Sequence, residues 1–471
     1  MPRLAAAYQI NPKTVVRAGY GMFYDGMYAF TLGNDQTGYS VTTSQPSSLT
    51  NGTSWVASGV STASTSPTLN PFPNGFAQIV GSAPGNLLYA GGSQTYTPQN
   101  LVPARQQRAQ VSIQRQTDAN SVLTVSYTYA LTNKIATYGA NGANGSYLAT
   151  VGVNLNPVPA SYYTAGQTPA TAQTTALNAS VANPFYIGNL TGLSAAQQSW
   201  LTTGNNASFF NSKTVALNQL LKPYPHLSGL TGVLPVGESR FNAIEVDYSR
   251  RFTSSFNINI NYQRTFQYDR DWFTNPFDQL PTWEDTVGNS RPSRLAGTGV
   301  WKLPFGRGQR FANQNTWEDS LIGKWQLDAS YEVQQGALIV FPNAFYSGCT
   351  TSWQSCDTTG LKEKHPSYGD WFNTTGFNTS SVPATYNLRV FPHVVDGVRS
   401  NGVNDWSANL QKTIPIREHV NFEMRLEAMD LFNHLVASAP NTTPTSAQFG
   451  QVTSDAYAVG RWVQIQGRIN F

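Results

Sequence analysis

Apolar and polar residues alternate one for one over many stretches of this chain, the period that sends successive side chains to opposite faces of a β-strand. The clearest stretch is 256–263. Phe256, Ile258, Ile260 and Tyr262 share one face there, and Asn257, Asn259, Asn261 and Gln263 share the other. In the preceding stretch, 241–252, Ile244, Val246 and Tyr248 stand opposite Glu245, Asp247 and Ser249. Only Thr253, Ser254 and Ser255 separate the two, which predicts a hairpin.

The same pattern predicts strands at 4–9 and 14–24 around an Asn11-Pro12-Lys13 turn, and at 105–116 and 121–130 around Thr117-Asp118-Ala119-Asn120. Strands at 291–303 and 324–336 are joined through the glycine-rich run Pro304-Phe305-Gly306-Arg307-Gly308. Strands at 404–412 and 419–432 flank Pro415-Ile416-Arg417, and 461–471 comes last, eleven in all. The connections between hairpins are of another kind, running through 25–104, 131–239, 269–290, 337–403 and 434–460. Short and long connections therefore alternate along the chain. Compact soluble domains rarely carry structureless loops beyond about 15 residues, whereas outer-membrane barrels have short periplasmic turns and long external loops. Counting back from a last strand ending in the periplasm at Phe471, every short turn falls on the periplasmic side.

Most of these stretches run for nine to fourteen residues. A tilted strand needs about 9–11 to cross a bilayer, and soluble strands average about 5–6. Charges are sorted as well. Glu423, Arg425 and Glu427 alternate with Phe422, Met424, Leu426 and Ala428, while Asp328 and Glu332 oppose Leu327, Ala329, Tyr331 and Val333. A Lys or Arg facing lipid at the midplane costs about 2–4 kcal/mol, so the charged face belongs to a wet interior. The expected lumen-facing charges are Glu245, Asp247, Asp328, Glu332, Glu423, Arg425, Glu427 and Arg468. Tyr24, Tyr129, Phe256, Trp301, Trp325 and Phe471 lie near the ends of apolar faces, as an interfacial girdle does.

Composition supports a surface that does not meet water everywhere. Charged residues make up 11% of the chain and aromatics 12%, against about 25% charged in ordinary soluble domains. No run approaches the roughly 18 apolar residues of a spanning helix, so strands must do any crossing. A formal net charge of +4 gives no nucleic-acid signal. Cys349 and Cys356 sit in a Gly/Ser/Thr-rich stretch whose nearest histidine, His365, has no obvious partner. A local disulfide in an oxidising compartment is expected there, and no metal site. Met1-Pro2-Arg3-Leu4 is not a basic region leading into an apolar core, so no signal peptide is visible and an upstream segment is expected.

Several stretches taken in order carry a family resemblance. They are Pro2-Arg3-Leu4-Ala5 with Val16-Arg17-Ala18-Gly19-Tyr20-Gly21-Met22-Phe23-Tyr24-Asp25, then Val111-Ser112-Ile113-Gln114-Arg115-Gln116, Pro223-Tyr224-Pro225-His226 and Phe241-Asn242-Ala243. Leu303-Pro304-Phe305-Gly306-Arg307-Gly308 and Gly323-Lys324-Trp325-Gln326-Leu327 follow. The most specific is Arg425-Leu426-Glu427-Ala428-Met429-Asp430-Leu431-Phe432-Asn433-His434, with Phe449-Gly450 after it. Together they resemble the barrel domain of Oar-like TonB-dependent transporters of Gram-negative bacteria.

The resemblance implies an all-β, antiparallel transmembrane β-barrel of about 22 strands, of which residues 1–471 supply eleven or twelve as the carboxy-terminal portion. The alternative is a smaller barrel closed by an unrecognised twelfth strand. The implied partners are outer-membrane lipid, a missing amino-terminal plug domain and, through that missing part, the TonB energy-coupling complex. The barrel assembly machinery would act on the carboxy-terminal strand. The general carboxy-terminal signal of outer-membrane barrels wants a glycine where Gln466 stands; Gly467 is one residue off, although the alternation of Val463, Ile465, Gly467, Ile469 and Phe471 persists.

A search for chemistry yields little. There is no phosphate-loop, His-Glu-x-x-His or Gly-x-Ser-x-Gly motif, and no catalytic residue or cofactor is expected. Gly19 and Gly21 lie within a strand and Gly306 and Gly308 within a turn, where backbone freedom explains them. His419 and Glu423 are spaced to share a strand face, but two ligands do not make a metal site. The expected function is outer-membrane transport of a bulky substrate. A passive porin or structural outer-membrane protein, and a secreted β-rich adhesin or carbohydrate-binding protein, are the alternatives.

Overall fold

The structure is a computed structural model and describes residues 2–25, 37–43, 76–96, 102–137, 153–204, 206–232, 234–251, 255–285, 290–312, 316–456 and 460–471. Eleven strands form one meander in which each pairs with its neighbours in sequence. They are β1 (Arg3–Asn11), β2 (Thr14–Tyr24), β3 (Arg105–Asp118), β4 (Ser121–Ile135), β5 (Gly237–Arg250) and β6 (Phe256–Arg270), followed by β7 (Ser293–Lys302), β8 (Trp325–Gln334), β9 (Val403–Arg417), β10 (Val420–Met429) and β11 (Trp462–Asn470). All ten pairings are antiparallel.

Every strand read from the alternation is present, and the differences lie at the ends. β3 continues through a bulge between Gln116 and Asp118, which shortens the turn to Ala119 and Asn120. Asn120 N donates there to Asp118 Oδ1 at 2.8 Å. β9 runs past Lys412 and through Pro415, where the register shifts. A bulge excuses proline from the ladder bond it cannot donate, so the turn moves to Glu418 and His419. His419 thus leaves the strand face on which it was expected beside Glu423. The predicted last residue of the 241–252 strand, 252, and two residues of the predicted 253–255 turn, 253 and 254, lie outside the described residues.

A twelfth strand exists, but it is the two-residue Glu284–Asp285 stub beside Tyr268 and Asp269 of β6. It pairs with β6 and does not join β1 to β11. Among the described residues β1 pairs with β2 alone and β11 with β10 alone.

Exposure on β4 is inverted relative to a water-soluble protein. On β4, Val125, Tyr127 and Tyr129 are 42%, 47% and 36% exposed, while Ser126, Thr128 and Ala130 are 6%, 6% and 7% exposed. On this strand the large side chains point away from the molecule and the small ones point in.

The packed core lies outside the wall, in connections that the two-residue period left featureless. The largest cluster joins Ile339, Phe341, Leu361, Trp371, Phe372, Phe377, Phe391, Val395 and Val398 from one connection to Ala437 and Val452 of another. The Phe341 ring meets Phe372 and Phe391 edge-on, at 5.1 and 5.4 Å between centroids. Cys349 and Cys356 are joined by a disulfide beside it. Further clusters form around Leu177 with Tyr386, and around Leu201 with Phe210. The helix Ala195–Thr203 is started by a capping box in which Ser194 and Gln197 each bond the other's backbone. Asparagines supply many of the bonds that a ladder would otherwise give. Buried Asn183 donates to the carbonyls of Phe209 (2.7 Å) and Ser212 (2.9 Å), and buried Asn156 donates to that of Tyr224 at 3.0 Å.

Candidate functional site

Antiparallel partners lie side by side on the same face of a sheet, so register carries a face from strand to strand. Glu245 pairs with Ser126 and Gln263, and Asp247 pairs with Asn261. Gln263 pairs with Arg294, and Ala296 on the same face pairs with Glu332. Glu332 pairs with Asp405, and Asn409 pairs with both Asp328 and Glu427. Glu423 pairs with Arg468 and Arg425 with Gln466. All eight charged residues singled out in the sequence therefore occupy one continuous face, from β5 to β11.

That face is tied together laterally. Arg294 Nε donates to Glu332 Oε1 at 2.9 Å and Nη2 to Oε2 at 3.2 Å. Asn409 donates to Asp328 Oδ2 at 2.9 Å and Asn261 to Asp247 Oδ1 at 2.6 Å. Arg425 is paired with Glu423 and lies 3.8 Å from Glu427, which also accepts from Gln464. Sequence reasoning missed several cations of the same face, Arg294 and Arg17 among them, the latter donating to Gln114 Oε1 at 2.8 Å. Both sit in runs of small residues, Leu295-Ala296-Gly297 and Ala18-Gly19, where the alternation of polarity is faint.

At the end of the sheet from which the long connections leave, three of them enclose a cavity of about 600 Å³ lined by Asn156, Tyr163, Lys222, Phe273, Tyr386 and Arg389, among others. The Tyr163 ring stands edge-on to Tyr386 (5.5 Å) and Phe277 (5.2 Å), and burial raises its phenol above the ordinary range. Lys222 Nζ donates to Gln219 Oε1 and the Ser228 carbonyl, both at 2.7 Å, and burial lowers its pKa. Arg389 donates from Nε to the Phe391 carbonyl (2.9 Å) and from Nη2 to that of Phe341 (2.6 Å). Burial lowers its pKa to about 10.

Beside this cavity lies an acidic cluster. Glu284 accepts from the Trp272 indole and meets His393 Nδ1 at 2.9 Å. The neighbouring Asp271 has its pKa raised to about 6, first by burial and then by the charges of Asp269 and Glu284. Burial also raises Asp285, against the opposing effect of Arg399, whose Nη2 is 3.8 Å away. Among the described residues no three His, Cys, Asp or Glu side chains are gathered to hold a metal ion. The arrangement can hold and orient a ligand through aromatic faces, amides and two cations.

Sorted faces, transmembrane strand lengths and alternating connections define an outer-membrane β-barrel protein. Residues 1–464 match the family described as outer membrane beta barrel domain, and the chain belongs to that family. Its place is the cell outer membrane. No curated protein matches the chain. Among solved structures, the outer membrane transporter YddB from Escherichia coli is similar over 99% of this chain and 40% of its own, at 9% identity and a TM-score of 0.39. The siderophore receptor PirA from Acinetobacter baumannii is similar over 100% of this chain and 40% of its own, at 8% identity and 0.39. The pyoverdine outer membrane receptor FpvA from Pseudomonas aeruginosa PAO1 is similar over 100% and 36%, at 9% identity and 0.37. The chain thus spans well under half the length of these proteins.

Proposed function

We propose that this chain forms part of the wall and outer cap of a TonB-dependent outer-membrane transporter. The apolar rows meet lipid, the charged face lines the interior, and the folded connections stand outside the cell as the ligand-facing surface. The observation that carries the reading is the inverted exposure of β4 continued by the single charged face from β5 to β11. The protein acts by binding and passage and performs no catalysis. A plug domain fills the interior against the charged face, the TonB complex supplies energy through that plug, and the assembly machinery recognises the apolar row Val463, Ile465 and Ile469 of β11, exposed in the chain.

The wall is completed by further strands against β1 and β11, whose outer edges have no partner among the described residues. Unpaired edges in hydrocarbon are costly. Cysteine pairs introduced at Ala5 or Ala7 and at Gln464 or Gln466 test this point. They stay reduced if other strands intervene, and a crosslink between β1 and β11 shows that the chain closes on itself. Conductance of the protein extracted with its partners into planar bilayers tests transport by a plugged wall. A closed baseline is expected, and steady ion conductance would identify a passive porin.

A further inference from the structure

The 303–324 connection is unlike the other short turns. Beyond its glycine run it forms a helix, α1 (Thr316–Ile322), which strand alternation does not signal. The last carbonyls of α1 are gathered by side chains of the sheet. Lys412 Nζ donates to the Ser320 carbonyl at 2.6 Å and the Leu321 carbonyl at 3.0 Å, and Trp325 Nε1 donates to the latter at 3.1 Å. Lys412 and Trp325 are register partners on the apolar face, in line with Leu327, Leu410 and Ile414. The helix is therefore pinned to the apolar face, near the end of the sheet where the short turns lie.

Its other attachments fix it to the turn. Asp319 Oδ1 accepts from Arg307 N at 2.7 Å. Gly306, at φ +101°, lies so close that a Cβ there would meet the Gly323 Cα at 2.7 Å. What α1 presents outward is Trp317 and Leu321, 67% and 65% exposed, with Ile322 beside them. Arg307 and Arg310, in the turn before the helix, and Lys324, just after it, are exposed cations. Lys412, a lysine in an apolar row, is only 4% exposed because the helix end seals its ammonium.

The geometry points to α1 as an in-plane anchor in the periplasmic leaflet of the outer membrane, its partner being phospholipid. Trp317, Leu321 and Ile322 enter the boundary between headgroups and acyl chains, and Arg307, Arg310 and Lys324 meet headgroup phosphates. A short segment that presents aromatic and aliphatic side chains and is flanked by exposed cations has the composition of an interfacial anchor, and tryptophan favours that depth. The inference rests on the lipid-facing reading of the apolar rows, and continuity with those rows is what names the occupant.

Nitroxide labels on Trp317→Cys and Leu321→Cys, with Ile258→Cys and Asn259→Cys as references, test it in isolated outer membranes. Collisions with oxygen report lipid and collisions with a water-soluble nickel complex report water. The expected result is oxygen-dominated relaxation at Trp317→Cys and Leu321→Cys, severalfold above Asn259→Cys and at a shallower depth than Ile258→Cys. Nickel-dominated relaxation at both helix positions, or protection from both agents as a protein partner would give, overturns the anchor while Ile258→Cys remains in lipid. Loss of the contrast between Ile258→Cys and Asn259→Cys overturns the wall reading itself.

Discussion

Arg294 and Glu332 meet side-on across β7 and β8, with the guanidinium Nε and Nη2 on the two carboxylate oxygens at 2.9 and 3.2 Å. The geometry is the bidentate fork that makes arginine–carboxylate pairs specific. Both side chains remain more than a third exposed, at 38% and 37%, so solvent screens most of the attraction. A double-mutant cycle with Arg294→Ala and Glu332→Ala, read by urea unfolding of the membrane-inserted protein, should give a coupling of about 1 kcal/mol or less. A coupling of several kcal/mol would mean that this face is far drier than proposed.

The two faces of β6 should respond oppositely to charge. Ile258→Lys and Ile260→Lys place an ammonium on the apolar row, at about 2–4 kcal/mol each near the midplane, and should sharply reduce the folded fraction in outer membranes. Asn259→Lys, on the polar face, should assemble normally. Equal losses from both faces contradict the assignment.

Removing the Lys412 ammonium should loosen α1 without unmaking the wall. Lys412→Met leaves the Ser320 and Leu321 carbonyls without that donor, a penalty of roughly 1–3 kcal/mol. Hydrogen exchange should rise in 316–322 and stay unchanged in β8 and β9. Lys324→Met, at an exposed lysine 3.8 Å from Asp319, should change protection in 316–322 little. An unchanged exchange rate in Lys412→Met would show that other contacts hold the helix.

The outer connections should tighten as pH falls through about 6. Asp271 binds its proton more firmly folded than unfolded, since burial and two nearby carboxylates raise its pKa to about 6. Its favourable contribution is complete below the unfolded value near 3.8 and is lost as pH rises through 6. At pH 8 the buried charge therefore costs on the order of 2–3 kcal/mol. Asp271→Asn should stabilise the connection by up to that amount at pH 8 and scarcely at pH 4, measured by exchange in 271–285. The same gain at both values would rule out titration as the cause.

Breaking the disulfide should affect the cap and spare the sheet. Cys349 is buried against the Phe341 and Phe391 cluster, and a short crosslinked loop contributes roughly 2–3 kcal/mol. Cys349→Ala with Cys356→Ala should lower protection of Leu338–Val340 and Val394–Arg399 while heat-modifiability of the wall persists. Collapse of wall assembly instead would tie the two layers together more closely than proposed.

The sequence by itself determined the eleven strands, their faces and the common placement of the eight charges. Alternation is a local property: each residue's side follows from its parity, as at Phe256 to Gln263, whatever the rest of the chain does. It also announced the long connections, but left them empty. Their cores join Phe341 to Ala437 and Leu177 to Tyr386, residues whose spacing has no period because loops bend irregularly between them. Only tertiary structure could bring those partners together, pair Arg294 with Glu332, and place Lys412 under the end of α1. In each case the deciding interaction lies between segments far apart in sequence, and its free energy depends on distance in space, to which a one-dimensional pattern is blind.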